Sequence, residues 1–458
     1  MGEIAVQQLR GQVRGDLIVP GDERFDEARK VHNGMIDRRP AAIVRCTGVT
    51  DVIAAVKTAR ASGLPVSVRG GGHSVPGFGT ADGAMVVDLG RMKGIRVDPT
   101  TKTVRAEGGC TWGDFNHATH GFGLATTGGV VSTTGIAGLT LGGGIGYLTR
   151  SAGLALDNLV SADVVLADGS FVTANKDVNR DLFWALRGGG GNFGVVTNFE
   201  FRLHGVKDIV AGPMFFETED APKVMRAFDR YITDAPRQLY VVFAWQIAPP
   251  LPFIPEDRHG DTFCALVVCW TGPPEQADKV LAPLRGSAPV VAESIGPMPY
   301  PAINSLFDPL YPAGLQQYWK AAFGGGLTDE LVEAHMAHGP KIPVVQSTMH
   351  IYPINGAVYD VGPDATAWGH RSAKYATVIA GMWPDPAQNE ANTRWVRDYY
   401  KAIAPHSEAG GYINFLAGDD MDRVRANYGR NYDRLVEVKS KYDPENIFRF
   451  NQNITRGR

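Results

Sequence analysis

Val68-Arg69-Gly70-Gly71-Gly72-His73-Ser74 is the stretch on which the fold turns. Three successive glycines follow a strand-like run, Leu64-Pro65-Val66-Ser67-Val68. Such a loop is built for close approach, because glycine leaves both space and conformational freedom. Two further clusters, Gly142-Gly143-Gly144 and Gly188 to Gly191, also fall within the first 200 residues. Successive amides in loops of this kind form nests that hold phosphate oxygens. Gly189-Gly190-Gly191-Asn192-Phe193-Gly194 has GxGxxG spacing, but a dinucleotide loop must lead into a helix. Here Val195-Val196-Thr197-Asn198-Phe199-Glu200-Phe201 alternates as a strand, so a nicotinamide site is not supported. Gly72-His73-Ser74 is no nucleophile elbow either, since Pro76 stands where the second glycine belongs.

Outward from this loop, Ala42 to Arg45 reads as a strand. Thr50-Asp51 reads as the cap of a helix carrying Val52, Ile53, Val56 and Ala59 on one face and ending at Gly63. Met85 to Leu89, Thr103 to Ala106 and Leu159 to Leu166 continue the strand pattern. From about Ile209 the texture changes. Aromatic-rich strands (Tyr240 to Trp245, Ala265 to Trp270, Met349 to Tyr352, Tyr375 to Met382) alternate with helical stretches such as 222–232 and 389–403. That pattern predicts an antiparallel sheet carrying helices. A short helix ending at Tyr442-Asp443-Pro444 closes the sequence.

Composition narrows the function. The 458 residues hold 55 glycines, well above the usual ~7%, yet the charged and apolar fractions are ordinary. A net charge of -3 offers no bulk basic field for nucleic acid or an anionic membrane. No run is long and apolar enough to span a bilayer. The start lacks the basic and apolar regions of a signal peptide, and Val6 breaks a myristoylation motif. Cys46, Cys110, Cys264 and Cys269 form no CxxC pair and read as buried free thiols, which suits a cytoplasmic location. His117 and His120 have no carboxylate partner, so no metal is expected.

Taken together, these segments resemble the berberine-bridge-enzyme-like branch of the vanillyl-alcohol-oxidase flavoprotein superfamily. The resemblance rests on the glycine loop above, on Gly135-Ile136-Ala137-Gly138 with Gly142 to Gly146, on Gly153 to Asn158, on Leu182 to Gly188, and on Tyr442-Asp443-Pro444 through Asn451-Gln452-Asn453-Ile454. It implies an α+β fold: a split, PCMH-type FAD-binding domain of two α/β subdomains (residues 1–205 and 405–458) around an inserted substrate domain (206–404) with an antiparallel sheet and helices. It places FAD against Arg69, Gly70, Gly71, Gly72, His73 and Ser74. Thr134, Gly135, Gly138, Gly142, Gly143, Gly144, Gly146 and Asn158 belong to the second contact region. Gly194, Val195, Val196, Asn451 and Asn453 complete it.

His73 takes the position of the histidine that bonds the flavin 8α carbon in relatives; the other reading is a histidine that only hydrogen-bonds phosphate or backbone. Val131 stands where bicovalent relatives carry cysteine, and valine forms no thioether. A single covalent bond is therefore implied. The implied reaction is hydride transfer from a small-molecule C–H (alcohol, amine or secondary-metabolite ring) to flavin N5. Thr134, similar in shape to the valine of many oxidases, points to O2 as acceptor. The resemblance implies an acidic or other polar residue as proton acceptor on the strand Tyr375 to Trp383, which holds no carboxylate. Lys320 is the expected substitute, as a lysine between aromatics. Asn414, Tyr311, Tyr352 and Tyr412 are further pocket residues, and His350 is ambiguous. The alternative function is a flavin-binding protein without turnover, serving binding or resistance. A monomer or homodimer is expected.

Overall fold

Short strand-like runs recur along the sequence, and the computed structural model, which describes residues 2–455, pairs them into four sheets. The first has the order Asp16–Ile18, Ala42–Arg45, Met85–Asp88, Val66–Arg69, with the last three parallel. Helix Val49–Ala61 packs on it through Val52, Val56 and Ala59. That helix starts one residue before the expected cap. Its Asp51 lies inside the first turn, where the carboxylate accepts from the amides of Arg14, Gly15 and Thr47. Gly63, at φ +64°, ends it as expected.

An antiparallel five-stranded sheet follows, in the order Ile95–Asp98, Thr103–Glu107, Val195–Arg202, Leu159–Val165, Phe171–Asn175. The strand Val195–Arg202 directly follows Gly194, so the GxGxxG loop leads into a sheet and not a helix. A two-stranded pair, Leu124–Ala125 with His204–Gly205, is the smallest sheet.

The change of texture near Ile209 marks the strand Asp208–Phe216. It opens an antiparallel sheet ordered Val290–Glu293, Asp208–Phe216, Thr262–Trp270, Leu239–Ile247, Thr348–Pro353, Tyr375–Trp383, Gln316–Gly324, with Gly296–Pro299 also on Asp208–Phe216. Successive side chains on a strand point to opposite faces, and here both faces are buried. Val241, Phe243, Leu266, Met349, Ile351 and Ile379 pack under the helices Ala221–Asp234, Ala277–Arg285, Asp329–His338 and Asn389–Ile403. Val242, Val267, Tyr352, Val378, Ala380 and Met382 face the opposite way, toward Ile145, Tyr147, Tyr311 and Tyr412. That second face matters for function.

The chain returns to its start. Helix Tyr432–Tyr442 packs on the five-stranded sheet, and Ile447 accepts from the amide of Val66 at 2.9 Å. All four cysteines are buried free thiols. Among the described residues no helix is long and apolar enough to cross a membrane, and no group of three or more His, Cys, Asp or Glu could hold a metal ion.

Candidate active site

The loop after Val66–Arg69 lines a cavity that runs to the second face of the large sheet. One part is glycine. Gly70, Gly71, Gly72, Gly135, Gly138, Gly190, Gly191 and Gly194 border it. Gly71 and Gly135 press together: a Cβ on Gly71 would sit 2.4 Å from the Gly135 nitrogen. By contrast, a Cβ on Gly138 or Gly191 would meet no atom within 4 Å. Space is open at those two glycines.

The second glycine cluster does something else. Gly142, Gly143, Gly144 and Gly146 do not line the cavity, and their Cβ positions are already filled. Asn414 Oδ1 lies 2.1 Å from that of Gly142, Tyr412 Cε2 2.8 Å from that of Gly143, and the Gly128 carbonyl 1.6 Å from that of Gly146. Gly142 and Gly143 seat Asn414 and Tyr412, while Gly144 and Gly146 admit the Ala155 side chain and the Gly128 carbonyl. Asn158 is also behind the wall, donating to the carbonyls of Ala152 and Leu154 and bonded to His204 Nε2 at 2.7 Å. Val195 is buried in the core beside Gly194, while Val196 and Thr134 border the cavity. Arg69 borders it too, but its guanidinium is bonded to Asp88 at 2.8 Å and to the carbonyls of Ala28 and Lys30. Ser74 Oγ accepts from the Phe78 amide.

The C-terminal box closes this part of the cavity. Asn451 and Gln452 line it, with Asn451 Nδ2 donating to the Gly191 and Phe448 carbonyls. The Oδ1 atoms of Asn451 and Asn453 and both polar atoms of the Gln452 amide are buried without a partner among the described residues. Buried polar groups are almost always satisfied. Orphaned amide groups beside glycines that keep open space fit a large polar ligand, and FAD is the group they suit. Asn451, Gln452 and the glycine loop would hold it.

His73 follows the glycine loop and lines the same cavity. Its ring stacks on His32 with centroids 3.9 Å apart. Burial and the neighbouring His32 lower its pKa to about 3, against a backbone hydrogen bond to Thr133. The imidazole is therefore neutral near pH 7 and keeps a nucleophilic lone pair. His32 Nδ1 accepts from the Gln317 side-chain amide at 2.7 Å. Val131 borders the same cavity.

Beyond His73 the lining is aromatic and uncharged: Tyr147, Tyr311, Trp319, Tyr352, Tyr412 and Phe415. Tyr412 Oη accepts from the Gly144 amide (2.6 Å) and from Asn414 Nδ2 (2.8 Å). Burial raises its phenol to about 12 despite those donors. With two donors on its oxygen, its own O–H is left to point elsewhere. Asn414 gives its other amide proton to the Leu139 carbonyl. Both its amide protons are thus spent within the protein. The Trp319 indole N–H is buried without an acceptor among the described residues.

Lys320 is not in this cavity. On the strand Gln316–Gly324, Gln317 and Trp319 face the cavity, so residues 318 and 320 point to the helix side. There Lys320 Nζ pairs with Asp419 Oδ1 at 2.9 Å. The expectation of Lys320 as proton acceptor is therefore corrected: strand parity puts it behind the wall. His32, Gln317 and Gln452, which do line the cavity, lay outside the residues expected from sequence.

The comparisons with known proteins agree with this geometry. A family model described as an FAD binding domain matches residues 40–175, and one described as berberine and berberine like matches 411–455. An FAD-linked oxidoreductase of Dictyostelium discoideum is 30% identical over 455 residues, covering 98% of this chain and 96% of the relative. The (R)-6-hydroxynicotine oxidase of Paenarthrobacter nicotinovorans is 30% identical over 452 residues, covering 96% and 97%. Among solved structures, BBE-like 1 of Physcomitrella patens superposes with a TM-score of 0.88 at 25% identity, covering 99% of each chain. With its glycine-lined cavity, its orphaned amide groups and these full-length relatives, the chain belongs to the berberine-bridge-enzyme-like FAD-linked oxidoreductases of the vanillyl-alcohol-oxidase superfamily.

Proposed function

We propose that this flavoenzyme is an oxidase that takes hydride from a C–H of a small hydroxyl or amine compound, holds FAD through one covalent bond from His73, and returns the electrons to O2. The observation that carries this reading is the place of His73, which follows the glycine loop and stacks on His32, itself bonded to Gln317 of the large sheet, all three lining one cavity. Bound there, the flavin supplies a two-electron acceptor for hydride. The protein's own share is positional. The free O–H of Tyr412 and the indole N–H of Trp319 give a substrate oxygen two donors. The apolar side chains of Val242, Val267 and Val378 exclude water from it.

In this reading residues 1–205 and 405–458 carry FAD and 206–404 cover it, since the large sheet supplies the aromatic compartment's floor. The neutral His73 and the valine at 131 support a single link. The uncharged side chain of Thr134 at the cavity wall supports access for O2. Four buried free thiols suit a reducing, cytoplasmic setting.

The covalent part is tested by acid precipitation. Wild type should leave a yellow pellet, and His73→Ala should release its flavin to the supernatant. A colourless wild-type pellet defeats the His73 bond. Rapid reoxidation of the bleached enzyme in air is expected of an oxidase; a reduced flavin that persists for minutes in air defeats the assignment of O2.

A further inference from the structure

With Lys320 behind the wall and no carboxylate on Tyr375–Trp383, the substrate proton needs another destination. The Thr348–Pro353 strand offers one. Thr348, His350 and Tyr352 line the cavity, while Met349 and Ile351 pack under the helices. Thr348 Oγ1 spends its proton on the Trp245 carbonyl. His350 Nδ1 and Tyr352 Oη lie 2.6 Å apart, with the rings edge to face at 86°. Residues i and i+2 share a strand face, so this contact is set by backbone geometry.

Burial holds the His350 imidazole down at about 4 and the Tyr352 phenol above its ordinary value. Near pH 7 both are neutral, and the phenol is the only group of the two that can donate across the contact if Nδ1 carries the lone pair. The bond is then Tyr352 O–H to His350 Nδ1. The tyrosine oxygen keeps its acceptor capacity for a hydroxyl in the cavity.

The surroundings are uncharged. Across the ladder His350 faces Ala244 and Val378, and Tyr352 faces Ala376. The titratable groups that bear on Tyr352 are phenols: Tyr147, Tyr240, Tyr311 and Tyr412. The imidazoles of His32 and His73 also border the cavity. Among its described lining residues the one formal charge is Arg69, already paired with Asp88. A charged substrate would lose its hydration here with no partner to replace it.

We infer that Tyr352 accepts the hydroxyl proton of a neutral substrate while its own proton passes to Nδ1 of His350. The inference rests on the reading of the cavity as a flavin oxidase site. The bonds balance. The substrate C–H breaks and its electron pair leaves as hydride to the flavin; the substrate O–H breaks and C=O forms. A new O–H forms on Tyr352 as the old one breaks, and N–H forms on His350. The substrate is oxidised and the flavin reduced. A weak base suffices, because losing hydride turns the hydroxyl into the strong acid of a protonated carbonyl. Tyr352 is the catalytic residue and His350 acts through it.

Two experiments test this. The first is binding, read from protein fluorescence through Trp319, with benzyl alcohol, benzylamine and benzoate as matched probes. Benzyl alcohol should bind at least roughly tenfold tighter than either ion, the scale of a lost polar partner. Equal or tighter binding of an ion overturns the neutral-substrate claim. The second is anaerobic flavin reduction by a panel of neutral alcohols. With flavin bound, failure of the whole panel also overturns that claim; absence of flavin from the purified protein instead sinks the oxidase reading beneath it.

Using the fastest alcohol, Tyr352→Phe and His350→Gln should each slow reduction by roughly 10²–10⁴-fold with flavin content unchanged. Wild-type reduction should stay level from pH 8 to 5 and fall as pH drops through about 4, when His350 becomes protonated. His350→Gln keeps an acceptor for the phenol but takes up no proton, so that inflection should vanish. Near-wild-type reduction in Tyr352→Phe, or an unchanged pH profile in His350→Gln, overturns the relay.

Discussion

The glycine-lined and aromatic-lined parts of the cavity are built in different ways. The glycine end works with backbone and with side-chain amides left unpaired; the aromatic end works with side chains standing on alternate positions of a sheet. Backbone recognition leaves a mark in composition, because only glycine permits it. Side-chain recognition depends on which face of a strand points inward, and composition does not record that.

The largest expected effect separates glycines that keep ligand space from glycines that let protein pack. Gly146→Ala would drive a Cβ to 1.6 Å from the Gly128 carbonyl. It should cost about 4 kcal/mol or more, the range of severe core strain, and yield unfolded protein in a thermal melt. Gly138→Leu enters open space. It should keep the fold, with circular dichroism unchanged, and lose bound flavin. If Gly138→Leu retains a full flavin complement, the contrast between the two clusters fails.

An intermediate effect concerns the scaffold behind the aromatic end. His335 is fully buried under the large sheet, bonded to Tyr399 Oη at 2.8 Å, and burial lowers its pKa to about 3. Unfolded histidine takes a proton below about 6.5, whereas folded His335 does not until about pH 3. The unfolded state binds more protons across that window, so stability falls as pH is lowered through it, by up to about 1.4 kcal/mol per pH unit for one such histidine. Urea midpoints between pH 7 and 5 measure the slope, and His335→Gln should flatten it. An unchanged slope would remove His335 from the argument.

The smallest effect sharpens the parity argument. Lys320→Met should leave flavin reduction within about threefold of wild type, because the residue points away from the cavity. Stability should drop by about 1 kcal/mol, as the partner Asp419 is partly exposed and also meets Arg397. A loss of reduction by a hundredfold would restore Lys320 as the base.

Sequence reasoning brought the glycine loop and Tyr311, Tyr352, Tyr412 and Asn414 to one cavity, and it missed on Lys320 and on Gly142 to Gly146. Gly70 to Gly72, Gly138 and Asn451 could be placed at a shared cavity because glycine at a strand end and a distinctive C-terminal box have few structural alternatives. Gly142 to Gly146 were misplaced for the same reason: packing glycines and ligand glycines look alike until their neighbours are known. Lys320 misled because Gln316–Gly324 is buried on both faces, so no polar alternation reveals its inward side. His32 carried no signal. It lies in a loop, and its partners Gln317 and His73 are brought to it only by the fold.

The return of the C-terminal box to the first sheet also sets an order of events during biosynthesis. Gly70 leaves the ribosome long before Asn451, by tens of seconds at roughly 5–20 residues per second. Throughout that interval the glycine loop exists without the segment that closes over it. A cavity bordered by both segments therefore forms only once Asn451 has been made. A chain cut short before Asn451 would keep the glycine loop and lose the amide groups that border the same cavity.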